Sequence, residues 1–149
     1  MRVALGSDHA GFPLKESVKE FIEAQGHIIK DYGTYGSASV DYPDFAEKVG
    51  VALGKSEADR GIVICGSGVG ASIAINKLPG IRAGLCHDTY SAHQGVEHDD
   101  MNVLVLGARI IGLELARELI QTYLSAKFTD EDRHRRRLEK IKRIESRYS

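Results

Sequence analysis

The sequence predicts an α/β fold in which helices cover both faces of a parallel sheet. Short apolar runs alternate along the chain with segments of helical spacing, as in repeated strand–helix units. The run 60–65 is almost continuously apolar, which is typical of a strand buried on both faces. The 149 residues include 16 glycines but only 3 prolines, which indicates tight turns rather than a flexible linker.

Five strands are predicted from short apolar runs bounded by polar or glycine residues. The third is the most continuous run, and the others are apolar stretches that end where polar residues or glycines begin. In chain order the predicted strands cover residues 2–6, 27–32, 60–65, 81–86 and 102–107.

Six helices are predicted between and after these strands. Pro13 and Pro43 suit first helical turns, Gly26 ends the first helix, and Asp130 or Asp132 can cap the last one. The fifth helix has the clearest periodicity, with apolar residues three and four apart. The predicted helices cover residues 12–25, 43–53, 71–77, 89–97 and 112–126, and a segment from 130 or 132 to 147.

Composition predicts one folded domain spanning residues 1–149. Hydrophobic residues make up 42% and charged residues 28% of the chain, which excludes a disordered, collagen-like or coiled-coil protein. The N-terminus turns polar at Ser7, too early for a signal peptide, and no apolar run approaches the roughly 20 residues of a membrane helix. Two cysteines do not make a disulfide framework. We therefore expect a cytoplasmic protein with free thiols and no membrane association.

Charge is unevenly distributed along the chain. Residues 130–149 hold 8 basic and 5 acidic residues, whereas the remainder holds 12 basic and 16 acidic ones. A basic tail on an acidic body can bind nucleic acid, a phosphate or another subunit. No basic tract carries interleaved aromatic residues, so the sequence predicts no nucleic-acid partner.

The strongest chemical motif is a glycine-rich turn after the third predicted strand. Gly66, Gly68 and Gly70 alternate with other residues, so backbone N–H groups can point into the turn. Such a turn before a helix binds a phosphate, another anion or a developing oxyanion. In parallel sheets, ligands bind at the carboxyl ends of the strands, where this turn lies.

A dinucleotide-binding fingerprint is an alternative interpretation of the same turn. Gly66, Gly68 and Ala71 fit that pattern, and Asp88 mimics its ribose-binding acid. Against it, the motif follows the third strand rather than the first, and the chain leaves little room for a substrate domain. A P-loop is excluded because no Gly-Lys-Ser/Thr follows.

Cys65 stands at the strand end, directly before the turn. Backbone donors and the following helix would favour its thiolate, which could then act as a base or nucleophile. The alternative is a small buried hydrophobe, the usual environment of a free cysteine. Position alone leaves both interpretations open.

Two acid–imidazole clusters are further candidates. Asp8 and His9 follow the first strand, where they can move a proton or hold an anion, or where Asp8 can simply cap a helix. His98 with Asp99 precedes the fifth strand. His87, His93 and His98 are spaced by 6 and 5 residues, which fits no pair on one helix face, so no metal site is predicted.

Arg133 and Arg137 lie four residues apart on the last predicted helix and therefore share a face. Two guanidinium groups on one face can clamp a phosphate. The alternative is a solvated helix whose charges are balanced by nearby acidic residues.

Taken together, these motifs resemble the ribose-5-phosphate isomerase B family of the ribose/galactose isomerase superfamily. The resemblance covers nearly the whole chain, and the order and spacing of the motifs carry it. The matching segments are Gly6–Gly11, Asp41–Pro43, Ile64–Gly70, Asn76–Lys77, Gly80–Ala83, His98, Asn102–Leu104, and Arg133–His134 with Arg137.

The resemblance implies a three-layer α/β/α Rossmann-like fold with five parallel strands in the order 2-1-3-5-4. It implies a cofactor-free isomerisation between ribose 5-phosphate and ribulose 5-phosphate. It also implies a homodimer, or a tetramer built from it, whose active sites take residues from both subunits, with the last helix touching the partner.

The resemblance also implies roles for individual residues. Cys65 is the expected base that carries a proton between C2 and C1, and the backbone of Gly66, Gly68 and Gly70 with Ser67 is expected to stabilise the enediolate. Asp8 and His98 are expected to open the sugar ring and position the substrate, and Tyr42 is expected to line the pocket. The groups expected to hold the phosphate are His9, Arg109, Arg133 and Arg137.

Two departures from the family pattern concern the site. The family usually has His-Asn-Asp where this chain has His98 and Asp99 followed by Asp100, and a carboxylate cannot donate a hydrogen bond unless protonated. Some members carry a Glu base directly after the glycine turn. Ala71 stands there in this chain, which leaves the base role to Cys65.

Three other functions compete with the pentose-phosphate isomerase. A related isomerase could act on a hexose 6-phosphate such as allose or galactose 6-phosphate, if Asp99 alters the pocket. A non-catalytic phosphosugar-binding protein would keep Arg133 and Arg137 without turnover. A dinucleotide oxidoreductase would bind nicotinamide cofactors at the glycine turn.

Overall fold

The computed structural model describes all residues, 1–149, and contains five strands and six helices. The strands are β1 (Arg2–Ser7), β2 (Ile28–Asp31), β3 (Arg60–Cys65), β4 (Ala83–Leu85) and β5 (Val103–Gly107). The helices are α1 (Phe12–Ala24), α2 (Tyr42–Gly54), α3 (Val69–Ile75), α4 (Thr89–Asp99), α5 (Leu113–Ser125) and α6 (Asp132–Tyr148).

The strands form one parallel sheet in the order β2-β1-β3-β5-β4. This confirms the expected fold class and strand order. The register pairs Ser7 with Ile64 and Cys65 with Gly107, so β1, β3 and β5 end together. Their carboxyl ends therefore bring three successive loops to one edge of the sheet.

Alternate residues of the central strands enter two separate cores. Leu5, Ile62 and Leu104 pack with apolar residues of α1, α4 and α5 on one face. Ala4 and Val63 pack with residues of α2 and α3 on the other. Because side chains alternate across a strand, a continuous apolar run can fill both layers of the sandwich.

Helix α6 lies outside the sandwich against α4. The backbone N–H of Thr129 donates to the carbonyl of Glu97 at 3.0 Å, and Glu145 accepts from the N–H of Gly80 at 3.0 Å. Only His134 and Leu138 of this helix are buried. No helix of the chain is long and apolar enough to cross a lipid bilayer.

Several predicted boundaries differ from the structure. Strand β4 has three residues instead of six, because Asn102 and Asn76 side chains take backbone hydrogen bonds around Arg82 and Ala83. The predicted cap of α6 is wrong: Glu131 holds the cap position without a side-chain hydrogen bond, and Asp132 is already helical. His27 lies before β2 and its Nδ1 contacts the N-terminal amine at 3.1 Å.

Candidate active site

The loops after β1 and β3 are hydrogen-bonded to each other. The N–H of Asp8 donates to the carbonyl of Ile64 at 3.3 Å, which places Asp8 beside the end of the strand that carries Cys65. The Asp8 carboxylate is 7% exposed, and its Oδ1 accepts from the N–H of Gly11 at 2.9 Å. Asp8 thus closes the turn before α1, although Gly11 holds the cap position.

His9 has a defined ring orientation. Its Nδ1 accepts a hydrogen bond from the N–H of Val40 at 3.1 Å. A neutral imidazole that accepts at one nitrogen carries its proton on the other. The Nε2–H of His9 is therefore the group available to an anion at this edge.

The thiol of Cys65 lies beneath the glycine turn and is 4% exposed. Its Sγ accepts from the backbone N–H of Gly68 at 3.2 Å. Gly68 has a φ of +84°, and a Cβ there would lie 2.5 Å from Leu85 Cδ1. The donor to the sulfur thus depends on a backbone conformation and a packing space that only glycine satisfies.

The rest of the turn contacts Tyr42 and Arg109. A Cβ on Gly70 would lie 2.4 Å from Tyr42 Cζ, so the tyrosine ring rests directly on this glycine. Arg109 donates its N–H to the carbonyl of Gly66 at 2.9 Å, and its guanidinium lies over the same glycine. Ser67 is exposed, and its Oγ accepts from the N–H of Val69 at 3.2 Å.

A buried ion pair that sequence reasoning missed supports this edge. Lys15 is 0% exposed, and its Nζ lies 2.6 Å from Asp31 Oδ1. The same oxygen accepts from the N–H of Gly33, whose carbonyl accepts from the N–H of Ser7 at 2.7 Å. Lys15 precedes the buried Val18 and Ile22 by three and seven residues, a spacing that could have indicated its burial.

Asp31 is ionised within this network. Burial alone would raise its pKa, but hydrogen bonds from Lys15, Lys19 and the backbone of Gly33 hold the pKa below the usual range of an aspartate. The ion pair therefore ties α1 to the loop that follows β2, next to the start of the Asp8 turn.

A second cluster lies at the opposite edge of the sheet. His98 and Asp99 end α4, and the following Asp100 accepts at its carbonyl from Nε of Arg82, which directly precedes β4. The 11 residues of α4 span about 16 Å from the carboxyl edge to this amino edge. A single chain therefore does not bring His98 and Asp99 to Cys65.

Arg133 and Arg137 belong to this second cluster. Both are exposed and lie one turn apart on α6, as predicted. Nε of Arg133 donates to Nε2 of His134 at 3.2 Å and lies 3.4 Å from a carboxylate oxygen of Glu131. Asp99 lines a surface pocket of about 420 Å³ beside β4, together with Arg82 and Gln94.

His134 was not among the predicted site residues, although it directly follows Arg133 in one of the family-like segments. It is 1% exposed, and its ring stacks on that of His98 with centroids 4.0 Å apart. Burial, with the nearby His98 and Arg133, lowers the pKa of His134. A histidine among arginines gives no sequence signal of burial. Only the four-residue spacing between His134 and the apolar Leu138 could have indicated that both lie on the buried face of the helix.

The remaining polar candidates have structural partners. Asp88 caps α4, with its Oδ1 accepting from the N–H of Ser91 at 2.7 Å. Nε2 of His87 accepts from the N–H of Gly107 at 3.0 Å, and Nδ1 of His93 contacts the Glu97 carboxylate on the same helix. The acid of the dinucleotide interpretation is thus a helix cap.

Comparison with known proteins identifies the family of this chain. The Ribose/Galactose Isomerase family matches residues 3–141. The chain belongs to the ribose/galactose isomerase family.

Several members of the ribose/galactose isomerase family match over nearly their whole length. Ribose-5-phosphate isomerase B of Escherichia coli is 44% identical, covering 98% of this chain and 97% of that protein. The solved structure of Clostridium thermocellum ribose-5-phosphate isomerase B is 49% identical, with a TM-score of 0.96 and full coverage of both chains. D-erythrulose-4-phosphate isomerase of Pectobacterium atrosepticum is 39% identical, covering 86% and 85%.

Gly68→Ala tests the turn of this ribose/galactose isomerase. We expect the free energy of unfolding to fall by about 1–3 kcal/mol more than in Gly26→Ala, since an added methyl overpacks the site. Gly26 is the matched control because its φ is +91° but a Cβ added there would meet no atom within 4 Å. Denaturant unfolding of both variants measures this; equal losses would contradict the packing role of Gly68.

Proposed function

We propose that this chain interconverts ribose 5-phosphate and ribulose 5-phosphate through an enediolate, as an enzyme of the pentose phosphate pathway. The observation that carries the proposal is the buried Cys65 thiol, hydrogen-bonded by the N–H of Gly68 and placed beside Asp8. The named activity of the Escherichia coli relative and the Mycoplasma genitalium structure with bound ribulose-5-phosphate, 36% identical with a TM-score of 0.89, support it.

In the proposed reaction, Asp8 and His98 open the sugar ring and position the chain form. The Cys65 thiolate takes the proton from C2, and the C–H electron pair forms the C1–C2 double bond of the enediolate. Backbone N–H groups of Gly66 and Gly70, with Ser67, stabilise the charge on oxygen, and the N–H of Gly68 joins them once the thiolate that it contacts has taken the proton. The thiol then returns the proton to C1 while the proton of the C2 hydroxyl passes to the O1 oxyanion, so that C1 becomes a hydroxymethyl group and C2 the ketose carbonyl.

We propose that groups at both edges of the sheet hold the phosphate. His9 Nε2–H and Arg109 lie at the carboxyl edge, where Tyr42 packs on Gly70 and is proposed to line the substrate pocket. Arg133 and Arg137 lie at the amino edge of the same chain. We infer that they bind the phosphate of a substrate held in the site of a partner subunit, because Cys65 of the same chain lies at the opposite edge of the sheet.

We therefore propose a homodimer, or a tetramer built from it, of one isomerase domain spanning residues 1–149, with α6 contacting the partner. Ile141, Ile144 and Tyr148 support this: they are exposed and follow the buried Leu138 at intervals of three or four residues. An apolar stripe on a solvent-exposed helix favours a protein contact. We propose a cytoplasmic location and a sugar phosphate as the only ligand required, without a cofactor.

The direct test incubates the chain with ribose 5-phosphate, allose 6-phosphate, galactose 6-phosphate and D-erythrulose 4-phosphate, with EDTA present, and follows aldose–ketose conversion. We expect ribose 5-phosphate to give the highest kcat/KM. A higher value for a hexose 6-phosphate or the erythrulose phosphate would reassign the substrate. Binding without turnover on any of them would make the chain a phosphosugar-binding protein.

Arg137→Ala is expected to act on substrate binding. Loss of one charge-assisted contact to the phosphate should raise KM at least about tenfold while kcat changes little. Arg136→Ala is the matched control, because the neighbouring arginine is also exposed but points in a different direction from the helix. Steady-state kinetics on ribose 5-phosphate measure both, and an unchanged KM in Arg137→Ala would remove this residue from the phosphate site.

Asp99→Asn is expected to improve pentose turnover. The amide can donate to a substrate oxygen and no longer repels the anionic enediolate, so kcat/KM on ribose 5-phosphate should rise about fivefold, equivalent to roughly 1 kcal/mol. Glu118→Gln removes a similar exposed charge on α5 and serves as control. A decrease in kcat/KM would show that the carboxylate itself assists the reaction.

A further inference from the structure

We propose that His134 is a positioning residue that holds both His98 and Arg133 in the orientation the reaction requires. The proposal rests on the proposed function, which places these two side chains at the substrate of the partner subunit. His134 itself is 1% exposed and does not reach substrate. It joins α6 to the end of α4, the two elements that carry the second cluster.

The first contact is a ring stack. The imidazoles of His98 and His134 are 4.0 Å apart between centroids and inclined by 23°. A flat contact at this separation restricts the rotation of the more exposed ring, which is that of His98. Removing the His134 ring would leave a gap beside the His98 ring, because no other aromatic ring stacks on it.

The second contact defines the protonation of His134. Nε of Arg133 is a donor only, so Nε2 of His134 accepts from it at 3.2 Å. The proton of the neutral ring then lies on Nδ1, which donates to Thr129 Oγ1. Thr129 is anchored in turn, because its N–H donates to the carbonyl of Glu97. Both nitrogens of His134 are thus used, and neither is free for proton transfer.

The third element is the hydrogen bond that completes the orientation of His98. Nε2 of Gln94 donates to Nδ1 of His98 at 2.8 Å, one helical turn away on α4. Nδ1 therefore accepts, and the proton of the neutral His98 ring lies on Nε2. The stack on His134 and the bond from Gln94 together fix an Nε2–H donor that has no partner within the chain, which suits a group that donates to a sugar oxygen.

Three variants separate these contacts. His134→Phe keeps a stacking ring but loses both nitrogen contacts, whereas His134→Ala loses the ring as well. Leu138→Ala is the control for simple destabilisation, because Leu138 is the other buried residue of the same helix, one turn along, and has no polar group to orient His98 or Arg133. Steady-state kinetics on ribose 5-phosphate are measured for all three.

We expect His134→Phe to raise KM about tenfold, through the freed Arg133, with kcat changed little. His134→Ala should in addition lower kcat at least about tenfold. Leu138→Ala should reduce the stability of the fold while leaving kcat and KM near the wild-type values. If His134→Ala lowers stability alone, as Leu138→Ala does, the positioning role is wrong.

A second measurement needs no turnover. Nitrogen-15 NMR of the substrate-free protein reports the tautomer of His98, whose signal is assigned by its loss in His98→Asn. We expect one Nε2–H tautomer in the wild type and Leu138→Ala, and a mixture in His134→Ala, because a His98 ring without the stack can rotate out of the hydrogen bond from Gln94. A protein without isomerase activity but with this pattern would overturn the proposed function alone. An unchanged single tautomer in His134→Ala would overturn the positioning role alone.

Discussion

Cys65→Ala is expected to lower kcat on ribose 5-phosphate by at least about 100-fold while KM stays within a few-fold of the wild-type value. A positioned general base contributes about 10²–10⁴-fold to proton transfer, and no other side chain takes its place here. Ala71 stands at the position where some family members carry a Glu base. In the proposed site the phosphate contacts are separate from the thiol, so we expect substrate binding to be retained.

The control for Cys65→Ala is the other cysteine. Cys86→Ala removes a second buried thiol, whose pKa is raised by burial and by the nearby Asp88, and it should leave kcat unchanged. Both variants are assayed with ribose 5-phosphate over a range of concentrations. A Cys65→Ala enzyme with wild-type kcat would mean that the thiol is a small buried hydrophobe and that another group moves the proton.

A heterodimer of Cys65→Ala and His98→Asn chains is expected to have about half the activity of the wild-type dimer, although each homodimeric variant is nearly inactive. If each site combines Cys65 of one subunit with His98 of the other, such a heterodimer holds one intact site and one site with both changes. Two different affinity tags on co-expressed chains allow its purification. The measurement is kcat per dimer on ribose 5-phosphate.

A second heterodimer, called the mirror-image heterodimer, is the control: one chain carries both substitutions, and the partner chain is wild type. A composite site predicts that every site lacks one group and that this heterodimer is nearly inactive. A site built from one chain predicts the reverse result, with activity in the mirror-image heterodimer and none in the first.

Much of the fold could be predicted from local pattern. All five strands and six helices are predictable from the sequence, and the predicted bounds of β3 agree with the observed ones, Arg60–Cys65. A strand buried on both faces needs an uninterrupted apolar run, which is easy to recognise in a sequence. Boundaries that depend on particular hydrogen bonds are less predictable. The short β4 and the cap of α6 depend on such contacts, which residue type alone does not determine.

The candidate site was predictable to a different degree at each edge of the sheet. The polar residues at the ends of β1 and β3 were expected to meet, since parallel strands end at a common edge. The buried ion pair of Lys15 and Asp31 was not expected. A lysine is rarely buried without a partner, and the sequence does not show that Asp31, 16 residues away, is that partner.

The sequence by itself determined the fold class, the glycine turn with its thiol, and the cationic helix, because each is a local pattern of residue type and spacing. Only the tertiary structure decided that Cys65 and His98 lie at opposite edges of the sheet, and that His134 of α6 is buried against His98 at the end of α4. Both facts follow from how far each helix runs along the sheet and which neighbouring helix it packs against. The physical reason is that packing direction and burial depend on contacts between distant segments, which no single segment contains.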